Sequence, residues 1–224
     1  MKINDMTNFI EITRNILGLE KTGKGEGDID NAEKRLGIEI PQKVKAFYNA
    51  LDGDYKLMLD NKKWKLLPPD KLYVNENVLV FSQHGKKHAE YRGIDLSNGK
   101  VMYRYTDYEW SEYDDYGKTN KSFCTLMTEG VALTTILKMP VNRYYKLFSK
   151  DSPFAVEKDT ASLWKSYKSY SDETYNRILI NEETKSIAWA RGFCFSPDIY
   201  IGSQSDEVIN KFREIKQMDK LLMR

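Results

Sequence analysis

Residues 28–53 read Asp28-Ile29-Asp30-Asn31-Ala32-Glu33-Lys34-Arg35-Leu36-Gly37-Ile38-Glu39-Ile40-Pro41-Gln42-Lys43-Val44-Lys45-Ala46-Phe47-Tyr48-Asn49-Ala50-Leu51-Asp52-Gly53. The stretch holds two helices and the signals that bound them. Asp28 is placed to cap the first, which carries Ile29, Ala32 and Leu36 and ends at Gly37. Pro41 stands where the second begins, because a missing N–H costs nothing at the start of a helix. Val44, Phe47, Tyr48 and Leu51 give that helix a buried face, and Asp52-Gly53 closes it.

On the N-terminal side, Phe9, Ile10, Thr13, Ile16 and Leu17 share one face of a helix over residues 5–17, stopped by Gly18. Thr22-Gly23-Lys24-Gly25-Glu26-Gly27 reads as a flexible loop. On the C-terminal side the period changes. Trp64 to Leu67 is a short apolar run halted by Pro68-Pro69, and Val78-Leu79-Val80-Phe81 reads as a buried strand. Asn98-Gly99 is a tight-turn signal between Tyr91–Ile94 and Val101–Tyr105. Helical spacing returns from Ser122 to Leu137, with Phe123, Leu126, Met127, Val131, Leu133 and Leu137, until Pro140. Farther on, Thr160 to Tyr170 reads as a short helix. Ile178–Ile180 and Ile187–Ala190 form a hairpin around Asn181-Glu182-Glu183-Thr184, and Ile199–Ile201 a third strand. Ser205 caps a last helix whose apolar face is Val208, Ile209, Phe212, Ile215 and Leu222. Helices followed by a mostly antiparallel sheet, then more of the same, define an α+β chain.

The 224 residues carry 35 Lys+Arg against 33 Asp+Glu, a formal net charge of +2, which gives little support to a protein that lives on phosphate backbone. With 41% hydrophobic and 30% charged residues, disordered and collagen-like classes are excluded. Two cysteines, Cys124 and Cys194, are too few for a disulfide framework and read as small buried hydrophobes. The segment Met1 to Asn8 has no apolar core or small-residue cleavage site, and no run of 18 apolar residues occurs, so a cytoplasmic protein with no membrane partner is expected.

Catalytic patterns are missing where they would be looked for. Gly23-Lys24-Gly25-Glu26-Gly27 lacks phosphate-loop spacing and follows no strand. No Gly-x-Ser-x-Gly elbow occurs. His84 and His88 are four residues apart, but Gly85-Lys86-Lys87 between them reads as a cationic loop, a poor metal site. The expectation is a non-enzyme with no cofactor, no metal and no direct contact with nucleic acid.

The aromatic content concentrates in Asp107-Tyr108-Glu109-Trp110-Ser111-Glu112-Tyr113-Asp114-Asp115-Tyr116, where five carboxylates interleave with four rings and no Lys or Arg. Two readings are open. In one, the segment extends strand 101–105, with rings in the core and carboxylates in water. In the other, Asp107, Glu109, Trp110, Glu112, Tyr113, Asp114 and Asp115 form a partner-binding surface, with Trp110 or Tyr113 as the apolar anchor.

The pattern Ile29-x-x-x-Glu33-x-x-Leu36-Gly37-Ile38-x-Ile40-Pro41, then Lys45-x-Phe47-Tyr48 and Asp52-Gly53, resembles the N-terminal signature of the SUKH superfamily. Val80-Phe81-Ser82-Gln83 and Tyr91-Arg92-Gly93-Ile94-Asp95 look like that family's next strands. His84 to His88 replaces a usually shorter turn, and Asp52 stands where Asn is common. The resemblance covers about residues 5–140. It implies a SUKH-like α+β domain over 1–140, helices packed on a largely antiparallel sheet, with no catalytic residues. An α/β C-terminal extension over 141–224 is expected to pack on it. Bacterial members of the family look like immunity proteins that neutralise a cognate polymorphic or contact-dependent toxin, often a nuclease or other nucleic-acid-modifying enzyme; fungal members are scaffolds. The resemblance therefore implies a toxin-binding immunity protein, with an intracellular scaffold or regulatory module as the alternative.

Overall fold

The backbone of residues 28–53 folds largely as its local chemistry directs. In the computed structural model, which describes residues 1–54, 60–61, 64–85, 89–112, 122–146, 153–167, 176–191 and 198–216, helix α2 spans Asp28–Leu36 and α3 spans Gln42–Leu51. Gly37 takes the left-handed conformation at φ 64°, and its N–H reaches Glu33 O. Asp28 does not cap α2. Gly27 occupies that position at φ 78°, and Asp28 sits inside the first turn with Asp30, where carboxylates favour the helix dipole. Ile29 and Ala32 are buried and Leu36 is half-buried, whereas Val44, Phe47, Tyr48 and Leu51 of α3 are all buried.

Glu33 has a constructive role. Its Oε1 accepts the Ile40 N–H at 2.7 Å and its Oε2 accepts from Lys45 Nζ at 2.6 Å, so one carboxylate fixes the link between the helices and the start of α3. Arg35 donates from Nη2 to Pro69 O and Leu72 O, tying α2 to a single 3-10 turn at Pro69–Lys71.

The glycine loop before α2 is held in place. Asp52 Oδ2 accepts the backbone N–H groups of Thr22 and Gly23. A Cβ on Gly25 would lie 2.2 Å from the Gly53 nitrogen, so two glycines permit an approach no other residue pair could make.

Two units make up the chain. The first comprises residues 1–11 and 20–131, the second residues 12–19 and 132–224. Helix α1, Ile3–Leu17, and helix α4, Phe123–Lys138, each run from one unit into the other. Each unit has its own five-stranded antiparallel sheet, and six helices occur among the described residues, which makes the fold α+β.

In the first unit a short ribbon, β1 (Asp60–Asn61) and β2 (Trp64–Lys65), precedes the sheet. The sheet itself is β3 (Tyr73–Asn75), β4 (Val78–His84), β5 (Glu90–Asp95), β6 (Val101–Tyr105) and β7 (Ser111–Glu112), paired in chain order. Phe123 joins three layers, meeting Phe47 at 5.7 Å and Phe81 at 5.3 Å, both edge to face. Tyr48 buries its ring but donates its hydroxyl to Leu67 O at 2.6 Å. The Asn98-Gly99 turn forms with Gly99 at φ 72°, and Asp95 organises it, accepting from Ser97, Asn98 and Asn77. Those hydrogen bonds, the Ser97 side chain's foremost, hold the Asp95 carboxyl below the usual range.

In the second unit the order is β8 (Val141–Lys146), β12 (Asp198–Ser203), β11 (Ser186–Arg191), β10 (Asn176–Asn181) and β9 (Lys165–Ser166). One face buries Leu179, Ala188, Ala190, Ile199 and Ile201 with residues of α5 (Pro153–Asp159) and α6 (Asp206–Ile215). Toward the other, a Cβ on Gly202 would meet Met139 Sδ at 2.7 Å and Ile136 Cα at 2.8 Å, so the end of α4 lies directly against β12.

Two expectations need correction. The helix read over 160–170 lies earlier, at 153–159. Thr160 ends it by donating from Oγ1 to Val156 O at 2.7 Å, and Trp164 then donates from Nε1 to Ser186 Oγ, turning the chain into β9. In α4, Leu137 is exposed and Leu133 half-buried, while Ala132, Thr135 and Ile136 are buried. Small and hydroxyl-bearing residues take the enclosed positions, with Thr128 donating to Cys124 O inside the helix. Ser205 does stand at the N-cap of α6, though its side chain accepts no capping bond.

Candidate functional site

The end of β6 carries the acidic-aromatic segment. Along β6, Tyr103 and Tyr105 share one face by the two-residue period, and Arg104 takes the other. Beyond β6 the chain turns, with Tyr108 N–H donating to Tyr105 O at 3.0 Å. Thr106 fixes the turn's base, its Oγ1 accepting the Ala89 N–H at 2.8 Å and donating to Ala89 O at 3.2 Å. The strand resumes as β7, where Ser111 opposes Tyr103 and Glu112 opposes Met102.

The two faces have different fates. On one, Arg104 lies 4.8 Å from the Trp110 ring centre and 5.3 Å from that of Tyr91, with Nη1 3.4 Å from Glu76 Oε1. Trp110 donates from Nε1 to Asn75 Oδ1 at 3.0 Å. Its ring is half-buried and its one polar group is already used. Burial, first of all, pushes the Tyr73 hydroxyl upward beside this cluster.

On the other, Tyr103, Tyr105 and Tyr108 form a chain of edge-to-face contacts, with ring centres 6.3 Å apart at both steps. Together with Arg104, Glu109 and Ser111 they line an open cleft of about 510 Å³. Tyr105 is 47% exposed and Tyr108 72% exposed, large values for rings this size.

The proposed partner-binding residues are thus divided. Asp107 and Glu109 are exposed on the turn and form no ion pair among the described residues. Glu112 is exposed but paired with Lys100 Nζ. Trp110 is drawn into the Arg104 cluster. Tyr113, Asp114 and Asp115 lie outside the described residues. Among the described residues the rings most open to solvent are Tyr105, which precedes the singled-out segment, and Tyr108, which lies within it but outside the proposed partner-binding set. Their signal was the i, i+2 pair Tyr103 and Tyr105 running past the last core residue of the strand, Val101.

Elsewhere, Cys124 is buried in α4, and burial raises its thiol above the ordinary value. His84 ends β4, while His88 and Cys194 lie outside the described residues. Among the described residues no cluster of three or more His, Cys, Asp or Glu could hold a metal ion, and no helix is long and apolar enough to cross a membrane.

Comparison with models of known protein families, with curated proteins and with solved structures gives no match.

Proposed function

We propose that this chain is an immunity protein that binds a cognate polymorphic or contact-dependent bacterial toxin in the cytoplasm and neutralises it by occlusion. The observation that carries the reading is the turn after β6, where Tyr105 and Tyr108 stand exposed beside the carboxylates of Asp107 and Glu109. Large rings left in water at the end of a strand lose burial energy unless something covers them. Carboxylates beside them favour a basic partner, and a toxin directed at nucleic acid has to present basic groups to its substrate's phosphates. Occlusion needs only such complementarity. The resemblance of residues 28–53 to the SUKH signature supports the same reading.

The test is co-expression with the product of the adjacent large gene, where one encodes a toxin. The chain should restore growth and co-purify with that product as an inactive complex. Continued toxicity in the presence of folded chain, or stable recovery with a non-toxin partner alone, would favour the scaffold or regulatory reading instead.

A further inference from the structure

The cleft of the three tyrosines has chemistry more specific than exposure alone. Its walls are π-faces and ring edges, and its rim carries Glu109, with Asp107 in the same turn. No Lys or Arg occurs from residue 105 to residue 117. The lining Arg104 has its guanidinium committed to Trp110, Tyr91 and Glu76. Near the same strand, Arg92, opposite Tyr103, is paired with Glu90 at 2.5 Å, so neither neutralises Glu109. An aromatic wall with a carboxylate at its rim that forms no ion pair among the described residues favours a cation over an anion or a neutral apolar group.

We propose that this cleft receives an arginine side chain of the protein partner, its guanidinium plane stacked against Tyr105 or Tyr108 and its N–H groups directed to the carboxylate of Glu109. Arginine fits better than lysine because its planar, weakly hydrated head can stack on a ring and hydrogen-bond in its own plane at once. The opposite face of β6 displays the same chemistry internally, with Arg104 over Trp110 and Tyr91. The inference rests on the reading of the chain as a protein-binding module and names the partner group that the exposed tyrosines take.

The experiment uses the full chain and a capped peptide, Gly-Gly-Arg-Gly-Gly, with a second peptide in which citrulline replaces arginine. Citrulline keeps the planar head and removes its charge. Tyrosine ring resonances are followed by NMR, assigned through Tyr103→Phe, Tyr105→Phe and Tyr108→Phe. The arginine peptide should shift the Tyr105 and Tyr108 rings saturably, and the citrulline peptide should bind roughly fivefold more weakly or not at all. Tyr108→Leu and Glu109→Gln, both at exposed positions and checked for an unchanged thermal midpoint, should each weaken the arginine peptide by a similar factor. Equal binding of both peptides, undiminished binding by the two variants, or no shift of these rings overturns the proposal. Peptide binding without toxin binding would leave the cleft's chemistry standing and remove the immunity reading; the reverse result would place the toxin elsewhere on the chain.

Discussion

Trp110 donates its indole N–H to the side-chain carbonyl of Asn75 at 3.0 Å. Asn75 ends β3, one edge of the first sheet, and Trp110 immediately precedes β7, the other edge. Four strand spacings in a flat sheet would separate those edges by roughly 19 Å. The bond therefore requires a strongly curled sheet, with Arg104 filling the concave side between Trp110 and Tyr91.

Removing that link should loosen the sheet. Trp110→Phe keeps one ring for Arg104 but loses the N–H and the area of the second fused ring, so it should cost about 1 kcal/mol or more. Trp110→Ala also loses the ring and should cost about 2 kcal/mol or more. Urea unfolding of both variants reads the difference. Midpoints equal to wild type would show that the edge-to-edge closure contributes nothing to stability. Because Trp110 serves the fold, any loss of partner affinity in Trp110→Ala has to be judged beside that loss of stability.

Phe47 is fully buried and meets both Tyr48 and Phe123 edge to face. Phe47→Ala opens a cavity where α3, β4 and α4 converge and should destabilise by about 3–5 kcal/mol. Phe47→Leu should cost clearly less. Chemical denaturation that finds no loss in the alanine variant would contradict the packing described.

Gly93 faces β4 across the β4–β5 pairing, beside the register shift between Val80 and Ser82. A Cβ there would lie 2.3 Å from Val78 Cγ1 and 2.8 Å from Leu79 O. Val78 could rotate away, but the Leu79 carbonyl belongs to the backbone and cannot do so without disturbing the ladder. Gly93→Ala should therefore destabilise by about 1–3 kcal/mol. A shift in thermal midpoint measures it, and an unchanged midpoint would mean that the strands separate without penalty.

Glu33 links stability to pH. The hydrogen bond from Lys45, followed by that from the Ile40 N–H, holds its carboxyl below the usual range, and the same carboxylate raises Lys45. A depressed acid stabilises the fold above its unfolded pKa, and that contribution disappears as pH falls through the lower folded value. The stability gap between wild type and Glu33→Gln should therefore be full near neutrality and shrink as pH falls through and below the ordinary glutamate range of about 4.3. Denaturant midpoints across that window test it; a constant gap would show that the ionised state of Glu33 is not what matters.

Much of this architecture was legible locally. Gly37, Pro41 and Asp52-Gly53 set where α2 and α3 stop and start, because they act through the dihedral preferences of one or two residues. Asn98-Gly99 and the segment 181–184 placed their hairpins for the same reason, and short continuous apolar runs marked β4 and β10 to β12. Other features depended on groups distant in the chain. The Thr22–Gly27 loop reads as free until Asp52, 30 residues from Thr22, accepts its N–H groups. In α4 hydrophobicity marks Phe123, Leu126, Met127 and Val131 as buried, but in the last turns Thr134 and Thr135 are enclosed while Leu133 is half-buried and Leu137 exposed. The acidic-aromatic segment shows the division most clearly. Its composition identified a surface of interest, but it could not say which rings remain in solvent. Asn75 and Arg104 draw Trp110 into the curled face, while Tyr105 and Tyr108 project past the end of the core. Only tertiary contacts distribute side chains in that way, because backbone propensity fixes a ring's side of a strand and not whether another part of the chain arrives to cover it.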